Sequence, residues 1–70
     1  MAAIVAEQLH NLLELLPDEE LKQIAIARME GQTNKEIAGR LGCKLRTIER
    51  RVAYIRVIWK EEAELPDAFQ

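Results

Sequence analysis

The sequence holds one cysteine, one histidine, two prolines, three glycines and three aromatic residues in 70 positions. A single cysteine cannot form an internal disulfide, and one cysteine plus one histidine is too few for a structural zinc site. No apolar run reaches the roughly 18 residues that a membrane span needs. The opening MAAIVAEQLH carries an acid where a secretory signal would carry a basic flank. No alternating β-branched run and no Asn-Gly hairpin signal a strand. Also missing are a Ser-His-Asp set, a phosphate-cradling loop and paired carboxylates with a pocket; Glu19 and Glu20 are neighbours and diverge by about 100° on a helix. A chain this short buries only about 60% of the surface its unfolded form exposes, which leaves little room for a catalytic cleft. These absences predict one cytoplasmic domain spanning residues 1–70 that is not an enzyme and carries no cofactor or metal.

What is present is a strong division of charge. The net charge is −2. From Met1 to Gly31 six acids face two bases, and the last ten residues hold four acids and no base. Between them, from Gln32 to Lys60, eight bases face two acids, a net of +6. Surfaces more than a Debye length apart, about 10 Å, act in part independently. An acidic protein can therefore present one strongly basic face.

Apolar spacing predicts four helices. The first covers residues 3–16 and turns Ile4, Val5, Leu9, Leu12, Leu13 and Leu16 to one side. Pro17 ends it and opens the second, residues 17–30, which buries Leu21, Ile24, Ala25 and Met29. Gly31 stops that helix. Thr33 and Glu36 have capping-box spacing for a third helix, residues 34–41, burying Ile37, Ala38 and Leu41. Gly39 inside it costs about 1 kcal/mol relative to alanine, with no evident reason. The fourth helix, residues 45–62, carries Leu45, Ile48, Val52, Ile55 and Trp59 on its core face. Arg46, Arg50, Ala53 and Val57 lie opposite. Residues 63–70 read as a frayed, solvated acidic tail, with Pro66 and Asp67 marking its course.

The segment TNKEIAGRLGCKLRTIERR, Thr33 to Arg51, joins these signals into a helix-turn-helix. Ala38 is the small contact where the helices cross and Gly42 the tight turn, with Ile37, Leu41, Cys43 and Ile48 as the apolar wedge behind. Cys43 reads as a small apolar residue and His10 as solvent-facing. The fourth helix then projects Lys44, Arg46, Thr47, Glu49, Arg50 and Arg51. Arginine pairs with guanine O6 and N7, glutamate accepts from cytosine N4, and threonine bonds base or phosphate. Thr33, Asn34, Lys35 and Arg40 are candidates for phosphate contacts that position without reading sequence. The N-termini of the third and fourth helices add free N–H groups. Insertion of the Lys44–Arg56 end of the fourth helix into the major groove of double-stranded DNA is the expected mode of action.

The pieces LPDEELKQIAIARMEG, TNKEIAGRLGC and RTIERR, followed by a long helix ending in IRVIWKEE, resemble region 4 of bacterial sigma factors of the extracytoplasmic-function type. The resemblance covers Leu16 to about Glu62. It implies an all-α, four-helix domain with a helix-turn-helix, of the winged-helix-like, sigma region 4 type, without a sheet. It further implies recognition of the −35 promoter element, docking on the RNA polymerase core, and an anti-sigma factor as a further candidate partner, with no membrane partner. Arg46, Thr47, Glu49, Arg50 and Arg51 fall at the family's DNA-contacting positions. Lys44 departs from the serine or proline common at its place. The promoter-melting module, region 2, has no counterpart in the sequence, so the expectation is an excised C-terminal domain or a stand-alone region-4-like protein. TNKEIAGRLG also resembles the output domain of LuxR-type regulators, although those usually open with Thr-x-Arg-Glu rather than Leu-Pro-Asp-Glu-Glu. A module that only binds polymerase or an anti-sigma factor is the third reading.

Overall fold

The computed structural model describes residues 6–66 and Phe69, and among these it forms four helices and no strand. They are α1 (Ala6–Glu14), α2 (Glu19–Met29), α3 (Asn34–Leu41) and α4 (Leu45–Glu62). The expected start of the first helix at Ala3, with Ile4 and Val5 in its stripe, lies outside the described residues. Its end comes two residues before the expected Leu16. Leu15 and Leu16 instead donate three residues back, to the carbonyls of Leu12 and Leu13 at 3.2 and 3.0 Å. This tightened last turn lets the chain reach Pro17.

Pro17 precedes the second helix instead of opening it. Asp18 is the N-cap: its backbone is extended and its Oδ1 accepts from the Leu21 N–H at 2.9 Å. A helix begun at Pro17 would have Leu16 as its cap, and leucine offers no acceptor, so the helix starts where the aspartate can supply one. At the other end Gly31 takes φ +92°, and Gln32 N–H reaches back to the Ala27 carbonyl at 3.1 Å. That six-residue closure satisfies a terminal carbonyl that the helix itself leaves open.

The core joins all four helices. Leu12 and Leu16, Leu21, Ile24, Ala25 and Ala27 from α2, Ile37 and Ala38 from α3, and Ile48, Val52, Ile55 and Trp59 from α4 are buried together. Among the described residues no polar or charged residue is fully buried. Leu45 departs from the expected core face and is 43% exposed. It is the first residue of α4 and overhangs the end of the core, one turn short of Ile48. Met29 and Leu41 are half-buried, so they flank the core rather than filling it. Trp59 is fully buried, and its indole N–H donates to the Leu12 carbonyl at 2.8 Å. A buried indole needs such a partner, and the Leu12 carbonyl, in the last turn of α1, accepts it beside the 3.2 Å bond from the Leu15 N–H. One bond thus closes α1 onto α4.

The tail is the main correction. It is not a frayed end: Leu65 packs against the core and Phe69 is completely buried. The Phe69 ring meets Trp59 edge-on, centroids 4.8 Å apart at 69°, and the Arg28 guanidinium lies 5.9 Å from its centre. Arg56 Nε donates to the Phe69 carbonyl at 2.7 Å. Glu61, Glu62 and Glu64 stay exposed, so solvation of the acids is compatible with a docked chain. Asp67 lies outside the described residues. Burying a phenylalanine side chain gives about 1.5–3 kcal/mol, which offsets part of the entropy of ordering the segment, and the packing of Leu65 and the Arg56 hydrogen bond add to it.

Two stability changes of opposite sign are expected. Phe69→Ala removes a fully buried ring and lowers the unfolding free energy by about 3–5 kcal/mol. Gly39→Ala raises it by about 1 kcal/mol, because Gly39 is exposed and a Cβ there meets nothing within 4 Å. Urea unfolding followed by Trp59 fluorescence measures both.

Candidate nucleic-acid interface

The turn between α3 and α4 is built by local backbone chemistry. Gly42 takes φ +67°, a left-handed conformation that glycine adopts without cost. Its N–H and that of Cys43 (2.9 Å) both return to the Ala38 carbonyl. Ala38 is buried at 6% exposure, where a larger side chain would separate the two helices. Cys43 is half-buried, and its thiol lies 3.7 Å from the Leu41 carbonyl.

The two helix starts facing outward differ electrostatically. At α3, Glu36 N–H donates to Thr33 Oγ1 at 3.1 Å and Thr33 N–H donates to Glu36 Oε1 at 2.9 Å. The capping box therefore consumes two of the N–H groups expected to face phosphate, and it already places a carboxylate at the positive end of the dipole. The Thr33 backbone N–H, and then its hydroxyl, hold the Glu36 carboxyl below its ordinary pKa. At α4, Lys44 is the N-cap with no side-chain hydrogen bond, and no acid occupies the first turn. The first N–H groups of α4 stay open beside Lys44 and Arg46. Of the two starts, α4 is the better anion site.

Along α4, Lys44, Arg46, Glu49 and Arg50 are exposed and Thr47 is half-buried. No ion pair within the described residues takes up Lys44, Arg46 or Arg50. Arg51 differs: its Nε lies 3.0 Å from Glu20 Oε1, an ion pair rather than an aligned hydrogen bond. Arg56 is likewise engaged, by the Phe69 carbonyl. On α3, Thr33 and Lys35 are exposed at its start, while Asn34 is half-buried with its Oδ1 unpartnered. Arg40 lies elsewhere. It lines a shallow pocket of ≈ 160 Å³ between α2 and α3, together with Ile26, Ala27, Glu30, Ile37 and Leu41. That volume is below the roughly 300 Å³ typical of small-molecule sites. Among the described residues no cluster of side chains could hold a metal ion, and no helix is long and apolar enough to cross a membrane. His10 is exposed, 3.4 Å from Glu14 on its own helix.

Sequence reasoning missed Glu20 and Phe69, which engage Arg51 and Arg56 of α4. For Phe69 a signal existed: a lone aromatic in an acidic segment has good reason to be buried. For Glu20 there was none, since its partner is 31 residues away.

The family model described as ECF sigma factor matches residues 1–65. No curated protein and no solved structure gives a significant match.

The capping box should be visible in titration. Because the folded pKa of Glu36 is lowered, its stabilisation is complete above the ordinary carboxylate range and fades as pH falls through the lowered value. NMR titration should find Glu36 below the ordinary glutamate range, and Thr33→Ala should return it to that range.

Proposed function

Because the chain belongs to the ECF sigma factor family, we propose that α4 reads the −35 promoter element in the major groove. The family is one of transcription-initiation proteins, not enzymes, whose partners are RNA polymerase core and promoter DNA. The observation that carries the finer reading is the exposed, unpaired pair Arg46 and Arg50 on the side of α4 opposite Ile48, Val52 and Ile55, with Lys44 exposed and unpaired at the helix start. An α-helix fits the groove, and arginine in it forms bidentate bonds to guanine. Glu49 and Thr47 sit within the same two turns and extend the readout. The open N-terminus of α4 meets a phosphate, and Thr33, Asn34 and Lys35 approach the backbone on the near side. In this reading the residues together form a single DNA-binding domain.

Ile26, 37% exposed beside the α2–α3 pocket, favours a role for that face in contact with polymerase. The two surfaces use different residues of α3, Thr33, Asn34 and Lys35 for DNA and Ile37, Arg40 and Leu41 for the pocket, and are compatible in one complex. An anti-sigma factor would compete for either.

Arg46→Ala and Arg50→Ala should each cost about 1–3 kcal/mol on a duplex selected from random DNA and loosen base preference at one position. Fluorescence anisotropy on selected and scrambled duplexes measures this. Equal losses on both would show phosphate binding only. Selection that enriches no motif would favour the protein-binding role, and a dimer on a palindrome would favour the LuxR-type reading.

A further inference from the structure

We propose that Arg51 and Arg56 do not contact DNA but fix the roll of α4 about its own axis, and so decide which side chains enter the groove. The inference rests on the DNA-binding reading and adds to it how the reading helix is aimed. Arg51 precedes Val52 and Arg56 follows Ile55, so the two sit on opposite flanks of the buried stripe, roughly 140° apart at 3.6 residues per turn. Each is tethered to a different part of the molecule. Arg51 reaches Glu20 in the first turn of α2 at 3.0 Å. Arg56 reaches the Phe69 carbonyl of the docked tail at 2.7 Å. One tether resists rotation in each direction.

Apolar packing alone holds roll loosely, because Val52 and Ile55 stay buried through small rotations. The groove is less tolerant. A roll of ~20° carries a side-chain tip at ~6 Å from the axis through ~2 Å. A preorganised site must be held within about 0.5 Å. Arg46 and Arg50, on the far side of the helix, would lose bidentate geometry without any change in fold. Tethers this exposed add little to stability. The side chains of Arg51 and Glu20 are 36% and 43% exposed, so the effect belongs in orientation. The tail gains a role as well: Phe69 is an anchor whose carbonyl is one of the two stops.

The test uses the 70-residue chain, a duplex it selects from random DNA, and a scrambled duplex, across a salt series. Arg51→Gln and Arg56→Gln should each weaken the selected duplex about three- to five-fold, the size that an exposed pair supports. They should leave scrambled DNA and the slope of log affinity against log salt unchanged. Glu20→Gln should match Arg51→Gln, the double variant should add nothing, and the swap Glu20→Arg with Arg51→Glu should restore binding. A slope lowered by about one in Arg51→Gln or Arg56→Gln marks a phosphate contact and overturns the proposal. So does the absence of any effect. In the DNA-free protein, Glu20→Gln should move the Arg51 Nε–H resonance and leave that of Arg56 in place; an unmoved Arg51 signal also overturns it. Failure of the wild-type chain to select any duplex would instead sink the promoter-reading proposal, with the resonance arm still deciding whether the tether exists.

Discussion

The burial of Ile48, Val52, Ile55 and Trp59 along one stripe of α4 carries the rest of the structure. Those side chains are the wall on which α2 and α3 pack, and through the Trp59 indole they hold α1 as well. The same stripe turns the opposite side of the helix to solvent. An 18-residue helix is about 27 Å long, and Ile48 and Val52 anchor its first half as Ile55 and Trp59 anchor its second, so both halves are buried on one side and open on the other. Packing and presentation are two faces of one periodicity, and any change in the stripe moves the basic residues too.

Charge is arranged around that division. The acids of α2 sit at its N-terminus, where the dipole favours them, and Glu20 there also holds Arg51. Glu36 is spent on capping α3. What remains on the outer side of α4 is basic, with an N-terminus that no side chain closes. A net negative protein can therefore hold an anionic duplex, since the field at the contact decides attraction and distant acids are screened. Lys44 looks unfavourable as a helix cap, yet an uncapped start beside a lysine leaves N–H groups and a cation together for a phosphate.

The legible parts were those with local causes. The capping box of Thr33 and Glu36, the left-handed Gly42 and the core stripe of α4 from Ile48 to Trp59 all follow from short-range spacing. The family resemblance likewise rested on contiguous motifs. What escaped depends on contacts distant in sequence. Phe69 finds Trp59 and Arg28 only once α2 and α4 are side by side. Arg51 reads as one more basic residue until Glu20 is placed beside it. Leu45 fits the stripe by angle, but angle does not say how far along the helix the neighbours extend. The Pro17 boundary was misplaced by two residues because proline and aspartate both favour helix starts, and the aspartate's acceptor won.

The central claim is that the N-terminal half of α4, on the side turned away from its buried stripe, is the DNA face. NMR titration of the chain with a duplex selected from random DNA tests it most directly. The account predicts that the largest shifts fall on Lys44, Arg46, Thr47 and Arg50, with Trp59 and the α2–α3 pocket unchanged. Largest shifts at Ile26, Ile37 and Leu41, with α4 silent, would contradict it.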